Sequence, residues 1–277
     1  MSVCGVCPVT MGKSLFKLTS LNLNGIRSAA TKGVEAWIAQ NNPDCICVQE
    51  VKAQAPDVAG KFESLAGLKG HFHFAEKKGY SGVAVYSKHE PTKVIVGMGS
   101  EEFDAEGRFV ELQFDTPKRK LSVISTYFPS GSSGPERQEA KFRFLDYMGP
   151  HLKSLGARRE FIVCSDVNIA HQQADLKNWK SNQKNSGFLP EERAWMTHMT
   201  TEGPLVDVYR QLHPETTDAC YTWWSNRGQA YAKNVGWRLD YQLATAALAA
   251  GAQKAEIYKE TRFSDHAPLT IDYDWTL

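Results

Sequence analysis

Residues 161–171, Phe-Ile-Val-Cys-Ser-Asp-Val-Asn-Ile-Ala-His, constrain this chain more than any other stretch. Phe161 to Cys164 reads as a short buried strand that delivers a carboxylate and a carboxamide two residues apart. With the two-residue period of a strand, Asp166 and Asn168 point the same way at its exit. A polar pair at the end of a rigid apolar strand is costly to keep dry, and such places commonly receive a metal, a phosphate or a water. A strand end capped by an Asx turn uses the same residues. The rest of the chain has to choose between these readings.

The composition narrows the class. With 277 residues, 42% of them hydrophobic and 23% charged, the chain has enough apolar material for a sizeable core. Its net charge of +1 excludes a global polycation, so a nucleic-acid partner has to be met by local basic patches. Six cysteines in a chain of this size do not form a disulfide framework. Cys45, Cys47 and Cys164 fall in apolar strands as small buried residues, and the Cys4/Cys7 pair lacks the second pair that a zinc site needs. The N-terminus has no long apolar run, and no window approaches the ~18 apolar residues of a membrane span. The expectation is a reduced, cytoplasmic, soluble monomer, with residues 1–15 a poorly ordered extension and 16–277 a single domain.

Along the chain, Phe16–Leu23 alternates and ends in Asn24-Gly25, a strand entering a turn. Residues 29–40 predict a helix with Val34, Trp37 and Ile38 on one face. Cys45–Glu50 is a buried strand ending in a carboxylate. His71–Ala75, Gly82–Tyr86, Lys93–Val96, Arg108–Phe114 and Leu121–Tyr127 follow as closely spaced strands. Pro135–Leu155 is amphipathic, with Phe142, Leu145, Tyr147 and Leu152 among its apolar positions. Residues 172–190 read mostly as loop, and Glu191–Met199 and Val206–Leu212 as helices. Cys220–Trp224, Arg238–Leu243 and Ala267–Tyr273 are the late strands. No Pro-, Gly- or Ser-rich linker divides the chain. The expected fold class is α/β (α+β), two mixed sheets packed face to face with helices outside.

The polar residues at strand exits are Asn22, Asn24, Glu50, Tyr127, Asp166, Asn168, Asp240, and Asp265 with His266. Acids and amides supply oxygen ligands, which suit a hard cation such as Mg²⁺ or Mn²⁺. Glu50 is the best single ligand, its plain alternative being an ion pair with Lys52. A buried Asp240 beside His266 would fix the tautomer and favour an imidazolium able to meet a phosphate oxygen. A Walker loop, a dinucleotide fingerprint and a Gly-x-Ser-x-Gly elbow are all absent from the sequence.

Eight segments in order resemble the motif set of the exonuclease III family of apurinic/apyrimidinic (AP) endonucleases, within the endonuclease/exonuclease/phosphatase superfamily. They are Leu21-Asn22-Leu23-Asn24-Gly25-Ile26-Arg27, Cys47-Val48-Gln49-Glu50-Val51-Lys52, Gly79-Tyr80-Ser81-Gly82-Val83, Glu106-Gly107-Arg108, Tyr127-Phe128-Pro129, Ser165-Asp166-Val167-Asn168-Ile169-Ala170-His171, Asn234-Val235-Gly236-Trp237-Arg238-Leu239-Asp240-Tyr241 and Ser264-Asp265-His266-Ala267-Pro268. Each motif alone is weak, but the ordered set, over residues 16–277, is specific. The resemblance implies a four-layer α/β/β/α sandwich and Mg²⁺-dependent cleavage 5′ to abasic sites in double-stranded DNA. It also implies 3′-5′ exonuclease and 3′-phosphatase or phosphodiesterase activity on blocked 3′ ends, in varying proportion.

By position, the resemblance makes Glu50 the main metal ligand, with Asn22, Asn24 and Asp265 beside it and Asp166 and Asn168 close to the metal. Asp166 would address the attacking water and Asn168 steady it. Tyr127 and His266 would bind the scissile phosphate, Asp240 would orient His266, and Asn22 belongs to the same catalytic group. Lys52, Lys177, Asn182, Asn185 and Arg227 would contact DNA. Trp223, Trp237 and Leu239 would wall the pocket for a flipped baseless sugar. The family generally has Gly before the catalytic Asp, where this chain has Ser165. A related class, the catabolite-repression-control proteins, keeps the fold but has lost catalytic residues. A catalytically silent nucleic-acid-binding regulator is therefore the alternative to the nuclease.

Overall fold

The structure, a computed structural model, describes residues 15–275 and 277. The Cys4/Cys7 pair and nearly all of the N-terminal extension lie outside these residues. Among the described residues fifteen strands run in chain order. The first five are β1 (Phe16–Asn22), β2 (Cys45–Gln49), β3 (Ser64–Leu65), β4 (Leu68–His73) and β5 (Val83–Ser87). The next five are β6 (Lys93–Val96), β7 (Phe109–Thr116), β8 (Arg119–Tyr127), β9 (Glu160–Asp166) and β10 (Leu205–Asp207). The last are β11 (Trp223–Trp224), β12 (Gly236–Trp237), β13 (Asp240–Thr245), β14 (Ala252–Ile257) and β15 (Leu269–Tyr273).

They form a seven-stranded sheet, β14-β15-β1-β2-β5-β4-β3, and a six-stranded sheet, β10-β13-β9-β8-β7-β6. Both are mixed, with β1–β2 and β8–β9 parallel and their other pairs antiparallel. β11 and β12 form a separate two-stranded ribbon. β1 and β15, from the two ends of the chain, pair antiparallel.

The two-residue period decides the layers. Phe16, Leu18, Cys45, Cys47, Val83 and Val85 of the first sheet face Val110, Leu112, Val123, Ile162, Cys164 and Ala244 of the second across one buried core. The alternate residues Leu21, Ile46, Val48 and Ala84 pack outward on Ile26, Ala29, Val34, Trp37 and Ile38. On the other side Ile124, Phe161, Val163 and Leu243 pack on Phe144, Leu145, Met148 and Leu152 of the long helix Pro135–Gly156. This is the expected α/β/β/α order.

Several local expectations are corrected. The helix over 29–40 is two helices, Ile26–Thr31 and Val34–Asn41, because Gly33 is left-handed (φ +85°) and ends the first run. Tyr147 is exposed rather than part of the helix's apolar face, and donates its hydroxyl to the Met98 carbonyl at 2.6 Å. Residues 172–190 hold short helical turns, Gln173–Asp175 and Trp179–Asn182, too brief to show a period. Val206 belongs to β10, and the helix there is only Val208–Leu212. Cys220 closes a tight turn, Asp218–Cys220, and only Trp223–Trp224 pairs as strand. β14 escapes notice because, as an edge strand with two glutamine and lysine positions exposed in succession, it lacks alternation.

Candidate active site

The strand register carries polar residues to one end of the gap between the sheets. Tyr127 of β8 and Asp240 of β13 both pair with Asp166 of β9, and Asn22 of β1 pairs with Gln49 of β2, one residue before Glu50. These positions continue the inward parity of the apolar core residues on the same strands. The chain then turns away through left-handed residues, Asn24 (φ 45°), Glu50 (φ 50°), Lys52 (φ 49°) and Asn168 (φ 55°). Such backbone persists only where its surroundings over-determine it. Here Gly25 N donates to the Glu50 carbonyl (2.8 Å), Ile26 N to Val51 (3.0 Å) and Lys52 N to Ser81 (2.9 Å), locking the loops to one another.

Asn168 therefore lies beyond the strand, and its direction is set by this turn, not by the pleat as the period suggested. The turn and the site are the same object. Asn168 N donates to Asp166 Oδ1 (2.9 Å), an Asx turn, while Asp166 Oδ2 accepts from Asn22 Nδ2 (2.9 Å). The other hydrogen of Asn22 Nδ2 reaches Glu50 Oε1 (2.8 Å), so one amide bridges the two carboxylates. Asn168 Nδ2 donates to the Phe128 carbonyl (3.0 Å). Ser165 is not left-handed, and its buried hydroxyl is spent on the Thr126 carbonyl (2.8 Å), so replacing Gly there brings neither strain nor a donor to the cleft.

His266 sits 6% exposed, with Nδ1 2.8 Å from Asp240 Oδ2 and Nε2 3.7 Å from Asp166 Oδ2. Burial works against its charge, but the carboxylates of Asp240 and Asp166 outweigh it and push the imidazole up to about 10. Burial raises Asp166 to about 7 even though the His266 charge opposes it. Burial, then Glu50 and Asp166, hold the Tyr127 phenol well above its ordinary value, so it remains a donor. Asp265 is also desolvated, yet His266 and hydrogen bonds from Asn24 Nδ2 (2.8 Å) and Trp223 Nε1 (3.1 Å) keep it below the usual carboxylate range.

Glu50, Asp166, Asn168, Tyr127, Asp265, His266, Trp223, Trp237 and Leu239 line one cleft of about 250 Å³. Asn22 and Asp240 lie directly behind it, and Asn24 and Lys52 at its edge. Lys52 Nζ is 2.7 Å from Glu50 Oε2 and 2.5 Å from Asn24 Oδ1, so the plain ion-pair reading of Glu50 holds alongside its place in the cluster. Trp223 and Trp237 meet edge to face with centroids 6.4 Å apart.

The remaining candidates are not brought into the cleft. Lys177 pairs with Asp218 (2.8 Å), Asn182 and Asn185 bond within their own loop, and Arg227 is exposed on the 225–228 turn. Ser130, Ser132, Ser186 and Gly187 line the cleft without having been singled out. For the first two, the Ser-Gly-Ser-Ser run directly after Tyr127-Phe128-Pro129 was the available signal.

Behind the wall, buried Arg238 forks between Asp175 (2.8 and 3.1 Å) and Asp207 (3.0 and 2.8 Å) and stacks 4.3 Å from the Tyr241 ring. Arg210 also bonds Asp175. This network ties the 173–175 turn to β10 and to the link between β12 and β13, and so supports Trp237 and Leu239 on either side of Arg238.

Ligand atoms of Glu50, Asp166 and His266 lie within 4.8 Å of one another, close enough to share an ion. An imidazolium has no lone pair to offer, so the carboxylate oxygens of Glu50 and Asp166 are the fitting donors of this group and match a hard cation, while the Asn22 oxygen accepts from Asn24 N (2.9 Å) and the two Asp265 oxygens accept from Asn24 and Trp223. Among the described residues no helix is long and apolar enough to cross a membrane.

Residues 19–266 match the Endonuclease/Exonuclease/phosphatase family. An exodeoxyribonuclease of Bacillus subtilis is 36% identical over 256 residues, covering 92% of this chain and 98% of its own. DNA repair nuclease APEX1 of Danio rerio is 37% identical over 262 residues, covering 92% and 81%. Among solved structures, an AP endonuclease from Archaeoglobus fulgidus superposes with a TM-score of 0.82 at 28% identity, over 94% of this chain and 100% of that one. A 3′ phosphatase from Neisseria bound to a product DNA hairpin gives 0.83 at 25%, over the same shares. With its fold, its strand-exit cluster and these relatives in agreement, the chain belongs to the endonuclease/exonuclease/phosphatase family, alongside exodeoxyribonucleases and AP endonucleases.

Proposed function

We propose that the chain is a Mg²⁺-dependent DNA-repair nuclease, with Mn²⁺ able to substitute. It hydrolyses the phosphodiester bond 5′ to abasic sites in duplex DNA and processes blocked 3′ ends. The observation that carries this reading is the single cleft in which Asp166, Asn168, Tyr127 and His266 face an apolar wall of Trp223, Trp237 and Leu239. A wall of this kind accepts a sugar without a base and leaves no room for an intact nucleotide. Lys177, Asn182, Asn185 and Arg227, outside the cleft, are assigned to the DNA backbone and duplex.

The side chains divide the work. Asp166, raised to about 7, can take a proton from the attacking water near neutral pH. Asn22 holds Asp166 and Glu50 in fixed relation, and Asn168 steadies the water. The His266 imidazolium, kept charged and oriented by Asp240, and the Tyr127 phenol donate to phosphate oxygens on which negative charge develops. A hard divalent cation would be held chiefly by Glu50, with Asp265 and Asn22 beside it, and would supply further positive charge against the same phosphate.

A gel assay on abasic, 3′-phosphate-nicked and recessed 3′-hydroxyl duplexes tests the reading. Cleavage of the abasic duplex with Mg²⁺ is expected, and relative rates rank the three activities. Cleavage of none with Mg²⁺ or Mn²⁺ would point to the silent regulator.

A further inference from the structure

Lys141 lies fully buried beneath the cleft, on the helix Pro135–Gly156. Its Nζ donates to the Asn168 carbonyl (2.7 Å) and sits 2.6 Å from Glu192 Oε1. Glu192 is equally buried, in the first turn of the helix Pro190–Thr197. Its Oε2 accepts from Gly187 N (2.7 Å) and Leu189 N (3.0 Å), and Oε1 accepts from Gln138 Nε2 (3.1 Å). One ion pair thus joins two segments that line the cleft, the Asp166–Asn168 turn and the loop carrying Ser186 and Gly187. The two are also tied directly, Ala170 N donating to the Gly187 carbonyl (2.8 Å).

Burial of such a pair is not explained by stability. Apolar residues of similar volume commonly do as well or better, and the neighbours on this helix, Phe144, Leu145 and Met148, already pack an apolar core. The ammonium instead completes the restraint on Asn168. The backbone N–H of Asn168 goes to Asp166, its side-chain amide to Phe128 and its carbonyl to Lys141. With all three held, the left-handed turn has one arrangement and the side-chain oxygen one direction. On the other wall, Glu192 holds Gly187 so close that a Cβ there would lie 3.1 Å from the Asn168 carbonyl and 3.3 Å from the Trp237 ring.

We infer that the Lys141–Glu192 pair is a positioning device: it sets Asn168 and the Ser186–Gly187 wall against each other, and so governs the chemical step rather than affinity for DNA. This rests on the nuclease reading above. Removing one partner leaves a buried charge and can unfold the chain, so the test uses Lys141→Met with Glu192→Gln together, which removes both charges but keeps an acceptor for the Gly187 and Leu189 N–H groups, and Lys141→Arg as the conservative variant.

The double variant is expected to melt close to the wild type and bind abasic duplex within about threefold, while kcat falls on the order of 10²-fold. Lys141→Arg, which keeps the charge and a donor, should recover about tenfold or more of that loss. Amide exchange over 166–170 and 186–189 should quicken in the double variant and stay near wild type in Lys141→Arg.

A folded double variant with wild-type kcat and unchanged exchange overturns the inference. So does a joint collapse of melting temperature, affinity and kcat in both variants, which would mark the pair as general scaffold. If the wild type cleaves none of the three duplexes, the nuclease reading fails. The exchange measurement then still decides whether the pair positions these two segments.

Discussion

Asp240 and His266 are paired through one short contact, Oδ2 to Nδ1 at 2.8 Å, which leaves the other ring nitrogen 3.7 Å from Asp166. Asp240 is fully buried and His266 nearly so, and the strand pairing of Asp240 with Asp166 puts both acids on the same imidazole. The charge of His266 is therefore a product of tertiary packing. Asp240→Asn should remove the larger of the two carboxylate contributions and bring the His266 pKa down from about 10. The sign for stability follows. A histidine raised in the folded state stabilises fully below its unfolded value of about 6.5 and loses that contribution as pH climbs to the folded value. Metal-free wild type should thus lose stability between about pH 6.5 and 10 and Asp240→Asn should lose less; NMR titration of His266 with denaturant melts at several pH values checks both.

Asp166→Asn keeps the size of the side chain and an oxygen for the Asn168 N–H, but it cannot take a proton. Incision should fall by several orders of magnitude while abasic-duplex binding stays nearly intact. Single-turnover cleavage beside an equilibrium binding measurement reads the two effects, and near-wild-type turnover would remove Asp166 from the mechanism.

Chelation by EDTA should abolish cleavage, and added Mg²⁺ should restore it. Glu50→Gln preserves an acceptor for Asn22 but removes the charge, so the Mg²⁺ concentration for half-maximal rate should rise by about tenfold or more. Cleavage that persists in excess EDTA would contradict the cation reading outright.

Arg238→Met leaves Asp207 buried without its counter-charge and Asp175 with Arg210 alone, and should cost ~3–5 kcal/mol in urea unfolding at pH 7. Burial tends to raise Asp175, but Arg238 and Arg210 more than compensate and hold it below the usual carboxylate range. A depressed carboxylate contributes stability above its unfolded pKa of about 3.9, and the contribution fades as pH falls through the lower folded value. Acid should therefore narrow the gap between wild type and Arg238→Met. A gap that is unchanged at pH 3 would show that Asp175 does not carry it.

Much of the fold and of the site was legible along the chain, because strand parity is a local property. Phe16, Leu18, Cys45, Cys47, Ile162 and Cys164 announced which faces were buried, and the same parity carried Asn22, Tyr127, Asp166 and Asp240 to the strand ends. The strand exits also offered Glu50, Asp265 and His266, to which the ordered motifs gave roles. Parity failed at Asn168, where the chain turns left-handed one step past the strand, and it could not show Trp179–Asn182 or edge strand β14, whose lengths or exposures hide any period.

Long-range contacts decided the rest. That Glu50 meets the Asn22 amide, and that Ser165 spends its hydroxyl on Thr126, depends on which strands become neighbours. The same holds for Arg238 between Asp175 and Asp207, and for Lys141 reaching the carbonyl of Asn168. Local pattern determines which face of a strand is apolar and what polar residue stands at its end. Only the packed structure determines how far that residue is stripped of water and which charge stands opposite, and these two quantities set whether Asp166 and His266 hold a proton.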